Sequence, residues 1–397
     1  MTVLWITNIV FPEVRGKFGI RTDFGSGYWL PALVEELAPR VSVVVVSFQR
    51  KLADFDIEIN KVKYVNRKRH SSQEFEEIVR AYSPDVIHLH GTENTYINLM
   101  TDDNLRRLVI SIQGIMEDIR KFTMPYGASP MRYPVMVAQG LYLKMLYSQR
   151  LRFERKALSA CRHVSGRTVY DRYYSLSLNP ERVYYEIQRV VRSEFNSFRW
   201  TLEGSEPDCI VTNLKVVAAK GLHVLLRAIS IVKLYRPGIR LKVIGGGYAP
   251  ANKYSYSAYL KEQMGTLGLD GNVDFLGYLN AETIAMTLVK CRLFVMPSFM
   301  ENNSNSLCEA MYTGMPCVCS HTGGLTSMLH DEETGLMFSN GNSYHLASQI
   351  VRLLENDELC RTFGERAYAV ARKRHDPETV VRETEAMYAK IAESQKY

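Results

Sequence analysis

The stretch Phe294-Val295-Met296-Pro297-Ser298-Phe299-Met300-Glu301-Asn302-Asn303-Ser304-Asn305-Ser306-Leu307-Cys308-Glu309-Ala310-Met311 decides how this chain folds. It opens on an apolar run that ends at Pro297-Ser298, passes through a polar loop, and resumes as a helical pattern near Ser306. An apolar run covered on both faces, followed at once by a helix, is one half of a βαβ unit.

The same alternation continues on both sides. Towards the C-terminus stands the strand Pro316–Ser320. Towards the N-terminus lie strands at Val273–Leu276, Leu241–Ile244 and Cys209–Val211, with a helix at 221–235. The first half repeats the theme with apolar strands at Val3–Ile6, Val41–Phe48, Val86–Gly91 and Leu108–Ile112, and helices around Leu30–Leu37 and 72–82. Strands alternating with helices predict parallel sheets covered on both faces. Gly204-Ser205-Glu206-Pro207 is the most linker-like segment and puts a boundary near 195–205. The expectation is therefore two doubly wound α/β domains. Sheets of this kind bind ligands at the carboxyl ends of their strands.

Composition excludes several classes. The 397 residues are 46% hydrophobic and 23% charged, with 25 Gly and 14 Pro, which rules out disordered and collagen-like chains. No run of about 18 apolar residues could span a bilayer, and the N-terminus has no basic segment of the signal-peptide kind. Seven scattered cysteines suit a reducing, cytoplasmic setting better than a disulfide framework. Residues 1–200 carry 29 Lys and Arg against 21 Asp and Glu, whereas the remainder carries 20 against 21. An anionic partner is thus expected on the first half, as a membrane surface, a phosphate-bearing ligand or nucleic acid.

The loop before the helix carries the chemistry. A helix N-terminus offers unpaired N–H groups to a phosphate. Asn305 and Ser306 read as cap residues, with the N–H groups of Ser306 and Leu307 free to reach a ligand. Glu301 and Glu309 flank the loop, and carboxylates accept hydrogen bonds from the paired hydroxyls of a sugar or ribose. An acid near a helix start also complements the dipole, so Glu309 has a structural reading beside the functional one.

Glu301 and Glu309 stand eight apart, and this spacing resembles the E-x7-E signature of retaining GT-B glycosyltransferases of family four, also called group one. The resemblance extends through Lys220-Gly221, Leu241–Gly247, Asn272–Tyr278, Thr313–Pro316, Gly323-Gly324 and Thr334–Leu336. It is strong over about 209–375 and weaker in the first half, at Gly25–Gly27, Asp85–His90 and Gly166–Thr168. It implies a GT-B fold of two Rossmann-like domains facing a central cleft. The acceptor-binding domain would span 1–198, helped by a returning C-terminal helix at 376–397, and the nucleotide-sugar-binding domain 199–375.

The resemblance also implies roles. Glu309 would hold the donor ribose and Glu301 the transferred sugar, with Lys220 neutralising the diphosphate. Lys215 stands where the family usually has an arginine and keeps the charge without the planar fork. Gly25, Gly27, Asn305, Ser306, Leu307, Gly246 and Tyr278 complete the expected donor site. Many relatives have a histidine where this chain has Gln113, which can hydrogen-bond a hydroxyl but cannot carry a proton. Transfer with retention would then let the departing phosphate take the acceptor's proton. His90, at the carboxyl end of its strand, is the expected acceptor contact.

The donor would be a nucleoside-diphosphate sugar, UDP or GDP, with no further cofactor, no metal and no nucleic-acid partner. The acceptor would be a saccharide or a lipid-linked sugar in surface polysaccharide or glycolipid synthesis. A non-catalytic nucleotide-sugar-binding or scaffold protein is the alternative. Residues 131–160 read as one long helix mixing Tyr133, Tyr142, Tyr147 and Phe153 with six basic residues and one acid, Glu154. Such a helix suits an anionic headgroup layer, so peripheral contact with the inner face of the plasma membrane is expected. Asp54-Phe55-Asp56 spells a D-x-D, but its polar surroundings read as solvated surface.

Overall fold

The computed structural model describes all residues except 20–28, 126–128, 130, 252–254 and 396–397. The chain forms two compact units. One comprises Met1–Met116, Gln149–Val190 and His375–Tyr397, and the other Glu117–Ser148 and Val191–Arg374.

The first unit is built on eight strands: β1 (Thr2–Ile6), β2 (Ser42–Ser47), β3 (Phe55–Ile59), β4 (Val62–Asn66), β5 (Val86–His90), β6 (Leu108–Ser111), β7 (His163–Gly166) and β8 (Val183–Glu186). Their order is β3-β4-β2-β1-β5-β6-β7-β8, and every pairing is parallel except the β3–β4 edge hairpin. Central strands such as β1 and β5 are buried along nearly their whole length, as a sheet sandwiched between helices requires.

The C-terminal helix Pro377–Glu393 belongs to this unit. Asp376 caps it by accepting the Thr379 N–H at 2.9 Å, and proline fills its first position. Its buried face carries Val380, Val381, Met387, Tyr388 and Ile391. The Trp5 indole donates to the Tyr388 hydroxyl at 3.0 Å, and Tyr388 lies 2.6 Å from His88 Nδ1. Indole can only donate, so the tyrosine proton is directed to Nδ1 and Nε2–H donates to Ser111 Oγ at 2.6 Å. Burial pushes His88 down to about 3, in keeping with a neutral ring.

Two local features of this unit go beyond the sequence reading. The glycine-bearing segment after β1 begins with a helix, Pro12–Phe18, which starts at a proline and stops where Gly19 adopts φ +62°. Asp54-Phe55-Asp56 is not merely polar surface. Phe55, Ile57 and Ile59 alternate with exposed Asp56 and Glu58 along β3. Asp56 pairs with Arg67, and Asp54 accepts the Lys68 N–H at 2.6 Å. Among the described residues no three His, Cys, Asp or Glu gather as a metal site.

The second unit has six parallel strands: β9 (Glu206–Asn213), β10 (Arg240–Ile244), β11 (Val273–Gly277), β12 (Cys291–Met296), β13 (Cys317–Ser320) and β14 (Leu336–Phe338). Their order, β11-β10-β9-β12-β13-β14, reverses between β9 and β12, which is the Rossmann arrangement. The switch point thus lies at the carboxyl ends of β9 and β12. Glu117–Ser148 clusters with this unit rather than the first, although the helix Pro134–Ala160 continues past it. Among the described residues no helix is long and apolar enough to cross a membrane.

Candidate functional site

The site of the second unit is assembled by close backbone approach. Gly221 has φ +70°, and a Cβ there would sit 1.9 Å from the Pro297 carbonyl oxygen just after β12. Only glycine fits. The approach is fastened by Phe299 N–H donating to the Ala219 carbonyl at 2.9 Å. Lys220 is thereby laid beside the loop after β12.

Its ammonium donates to Glu301 Oε1 at 2.5 Å, and Ser298 Oγ donates to the same oxygen at 2.9 Å. Both side chains are largely buried, at 29% and 12% exposure, so their mutual attraction is screened less than at an open surface. The loop backbone is held from the other side: Gly324 N–H donates to the Glu301 carbonyl, and a Cβ on Gly323 would collide with that oxygen.

The following helix runs Asn305–Thr313. Its cap is Ser304, whose Oγ accepts the Leu307 N–H at 3.3 Å, so the expected caps Asn305 and Ser306 are instead its first two residues. The Leu307 N–H is consequently taken and its side chain is wholly buried, which removes it as a ligand contact. The N–H groups that helix geometry leaves without an intrahelical partner are those of Asn305 and Ser306. Glu309, nearly buried, accepts from Arg192 through both Nε at 3.1 Å and Nη2 at 2.6 Å.

Other expected donor contacts are dispersed around this core. Gly246 lies against Tyr278, since a Cβ on the glycine would fall 2.0 Å from the tyrosine ring. Lys215 is exposed. Gly25 and Gly27 lie outside the described residues. Arg192 carried no signal in the sequence, because its partnership with Glu309 spans 117 positions and follows no short motif.

In the first unit, His90 ends β5 fully buried, with both ring nitrogens lacking a hydrogen-bond partner among the described residues. It packs on His88, with ring centroids 3.9 Å apart, and edge-on to Trp5 and Trp29. Burial holds it well below the usual histidine range, with the charge of Arg167 acting in the same direction. Gln113 follows β6, and its Nε2 also has no partner among the described residues. Arg167 lies over the Trp29 ring at 4.2 Å and donates to the Ile112 carbonyl at 3.0 Å, so these groups are neighbours.

Two Rossmann-like α/β units, each built on a largely parallel sheet, give the chain the GT-B fold. Residues 197–370, under half of the chain, match the family described as glycosyl transferases group 1. The N-acetyl-alpha-D-glucosaminyl L-malate synthase of Bacillus anthracis is 29% identical over 130 residues, 33% of this chain. That alignment spans 34% of the relative, about a third of its length. Sucrose-phosphate synthase from Thermosynechococcus elongatus superimposes with a TM-score of 0.74 at 17% identity over 98% of both chains. Anabaena HepE in complex with UDP-glucose gives 0.68 at 18% identity, covering 100% of this chain and 99% of its own.

Proposed function

We propose that the chain is a retaining, metal-independent glycosyltransferase that moves a sugar from a nucleoside-diphosphate sugar to a saccharide or lipid-linked acceptor. The observation that carries this reading is the Lys220–Glu301–Ser298 contact beside the start of the helix Asn305–Thr313. When a sugar departs from a diphosphate, negative charge grows on the leaving oxygens. A lysine and helix N–H groups aimed there stabilise the transition state more than the ground state. Lys220 would turn from Glu301 to the diphosphate, which frees that carboxylate for the hydroxyls of the sugar.

Glu309 would accept the ribose hydroxyls, with the forked contact from Arg192 fixing its direction. Lys215, Gly246 and Tyr278 would border the nucleotide. In the first unit, His90 and Gln113 would hydrogen-bond the acceptor, and neither is suited to remove its proton. His90 is kept neutral by burial and its ring nitrogens have no hydrogen-bond partner among the described residues, and the Gln113 amide has no basic site. The departing phosphate would serve as the base. UDP is the favoured donor nucleotide, supported by the UDP-glucose complex of a protein with the same fold.

The pathway we infer is surface polysaccharide or glycolipid synthesis at the inner face of the plasma membrane. The exposed Leu141, Tyr142 and Met145 on the helix Pro134–Ala160, beside Lys144, support contact with anionic lipid. Thermal-shift titration with UDP, GDP, ADP and CDP tests the donor reading, since a bound nucleotide raises the melting temperature by mass action. UDP or GDP is expected to give a saturating shift, and the matching sugar nucleotide a slow hydrolysis. Binding without any turnover over a donor panel would favour a scaffold, and no shift with any nucleotide would reject the assignment.

A further inference from the structure

The central strands of the second unit, β9 and β12, run side by side with a fault in their register near the amino ends. Cys291 pairs with Glu206 and Leu293 with Ile210, so β9 spends two residues more than β12 on the same step. Such a bulge breaks the ladder and re-aims the side chains it carries. Here it carries Pro207, Asp208 and Cys209, and the proline has no N–H for a ladder. The Cys209 sulfur is thereby brought 3.0 Å from that of Cys291.

This contact sets the pair apart from the other cysteines. Cys161, Cys317 and Cys360 donate to backbone carbonyls. Burial pushes the thiols of Cys161, Cys317, Cys319 and Cys360 up, which leaves little thiolate to react. Cys209 moves the other way. Its hydrogen bond with Cys291 holds it below the ordinary thiol range against the effect of burial, and the Lys242 ammonium adds to the lowering. Cys291 is pushed up by the same hydrogen bond and by burial, so Cys209 ionises first. Lys242 stands on the neighbouring strand β10 and pairs with Glu206 at 3.1 Å.

We propose that Cys209 and Cys291 form a reversible disulfide, with a hydroperoxide as oxidant, that staples β9 to β12. The Cys209 thiolate attacks one peroxide oxygen, the O–O bond breaks, and hydroxide leaves behind a sulfenic acid. The Cys291 thiolate then attacks that sulfur, the S–O bond breaks, and the second oxygen leaves as hydroxide. The two sulfurs give up two electrons to the peroxide, and the two thiol protons leave in two waters. Closing the bond brings the sulfurs about 1 Å nearer to each other. Both thiols are buried, so a small oxidant is required, and the interrupted ladder beside exposed Glu206 and Pro207 offers it the shortest way in.

The two cysteines are 82 positions apart, and the chain between them includes β10, β11 and the helix Leu222–Tyr235. A bond closing so long a loop restricts the unfolded chain far more than the folded one. The staple sits towards the amino ends of its strands, whereas Lys220 and Glu301 gather at the carboxyl ends. It therefore acts on the stability of the sheet that carries the site.

Treatment of the full chain with hydrogen peroxide, followed by denaturation and thiol counting, is the test. The count should fall from seven to five per chain, and dithiothreitol should restore it. A non-reduced digest read by mass spectrometry should join the peptide of Cys209 to that of Cys291. The melting temperature should rise by about 5 °C or more on oxidation. Dithiothreitol should reverse the rise, whereas it leaves methionine sulfoxide untouched. Cys209→Ala and Cys291→Ala should each abolish the reversible rise, and if either fails to fold the digest of the parent decides alone. Retention of all seven thiols, a loss that dithiothreitol does not restore, a bond to another cysteine, or an oxidised chain that melts no higher would overturn the proposal. No nucleotide or acceptor enters these measurements, so their outcome is independent of the glycosyltransferase reading.

Discussion

Lys220 and Glu301 meet at 2.5 Å although 81 residues separate them, and the meeting depends on a glycine between two other elements. Gly221 lets the chain pass against the Pro297 carbonyl, and that passage fixes where the lysine can reach. The contact is thus a product of backbone geometry as much as of opposite charge.

Removing either side of this chemistry should be severe. Lys220→Ala and Glu309→Ala are each expected to lower kcat by about 10²–10³, the scale for losing a group that stabilises developing charge. Gln113→Ala should cost only several-fold. Steady-state rates with the donor found by thermal shift provide the comparison, and a larger loss in Gln113→Ala than in the other two would reverse the assigned roles.

Gly221→Ala should act on both stability and rate. The left-handed backbone at φ +70° and the collision with Pro297 together predict a loss of about 2–4 kcal/mol. Denaturant unfolding measures it. The folded fraction should also turn over more slowly, because a displaced backbone carries Lys220 with it.

Arg192 forks onto Glu309 with little solvent around either group, at 17% and 9% side-chain exposure. Arg192→Ala should destabilise by about 1–3 kcal/mol, since it takes the guanidinium away from a largely buried carboxylate. Arg192→Lys should recover only part, because an ammonium cannot donate in the same two-pronged geometry. Chemical denaturation of the two variants beside the parent decides the matter.

Glu154 gives a pH prediction with a definite sign. Burial pushes its carboxyl up to about 7, against opposing hydrogen bonds from Tyr174, the Met116 N–H and Thr92. The folded chain therefore binds this proton more tightly than the unfolded chain. The stability it contributes is complete below the unfolded value near 4.5 and is lost as pH rises through about 7. Glu154→Gln should remove that slope, a difference of about 3 kcal/mol at most between pH 4.5 and 7.5. Melting curves across this range, parent minus variant, would show no such difference if the carboxyl titrated normally.

Much of the fold is legible because apolar strands and their helices leave strong local patterns. The run Phe294–Met296 and the helix carrying Cys308 and Met311 announce their βα unit directly. The glutamate spacing likewise points to the loop after β12. What the sequence hides is set by distance or by a one-residue choice. Ser304, not Asn305 or Ser306, caps the helix, because three polar residues in a row satisfy the same preference and only the backbone turn decides among them. Arg192 is invisible because its partner lies in another element. The membership of Glu117–Ser148 in the second unit is hidden too, since its apolar face reads the same whichever sheet it covers.

The helix anchored by Tyr388 to Trp5 and His88 has a consequence for biosynthesis. The strand holding Trp5 leaves the ribosome 383 residues before the tyrosine that closes its core. Residues 191–374 can condense while the earlier unit still waits for its final piece. The core of the first unit is therefore completed by a segment that follows the second unit in the chain, so its closure waits until residues 191–374 have been made.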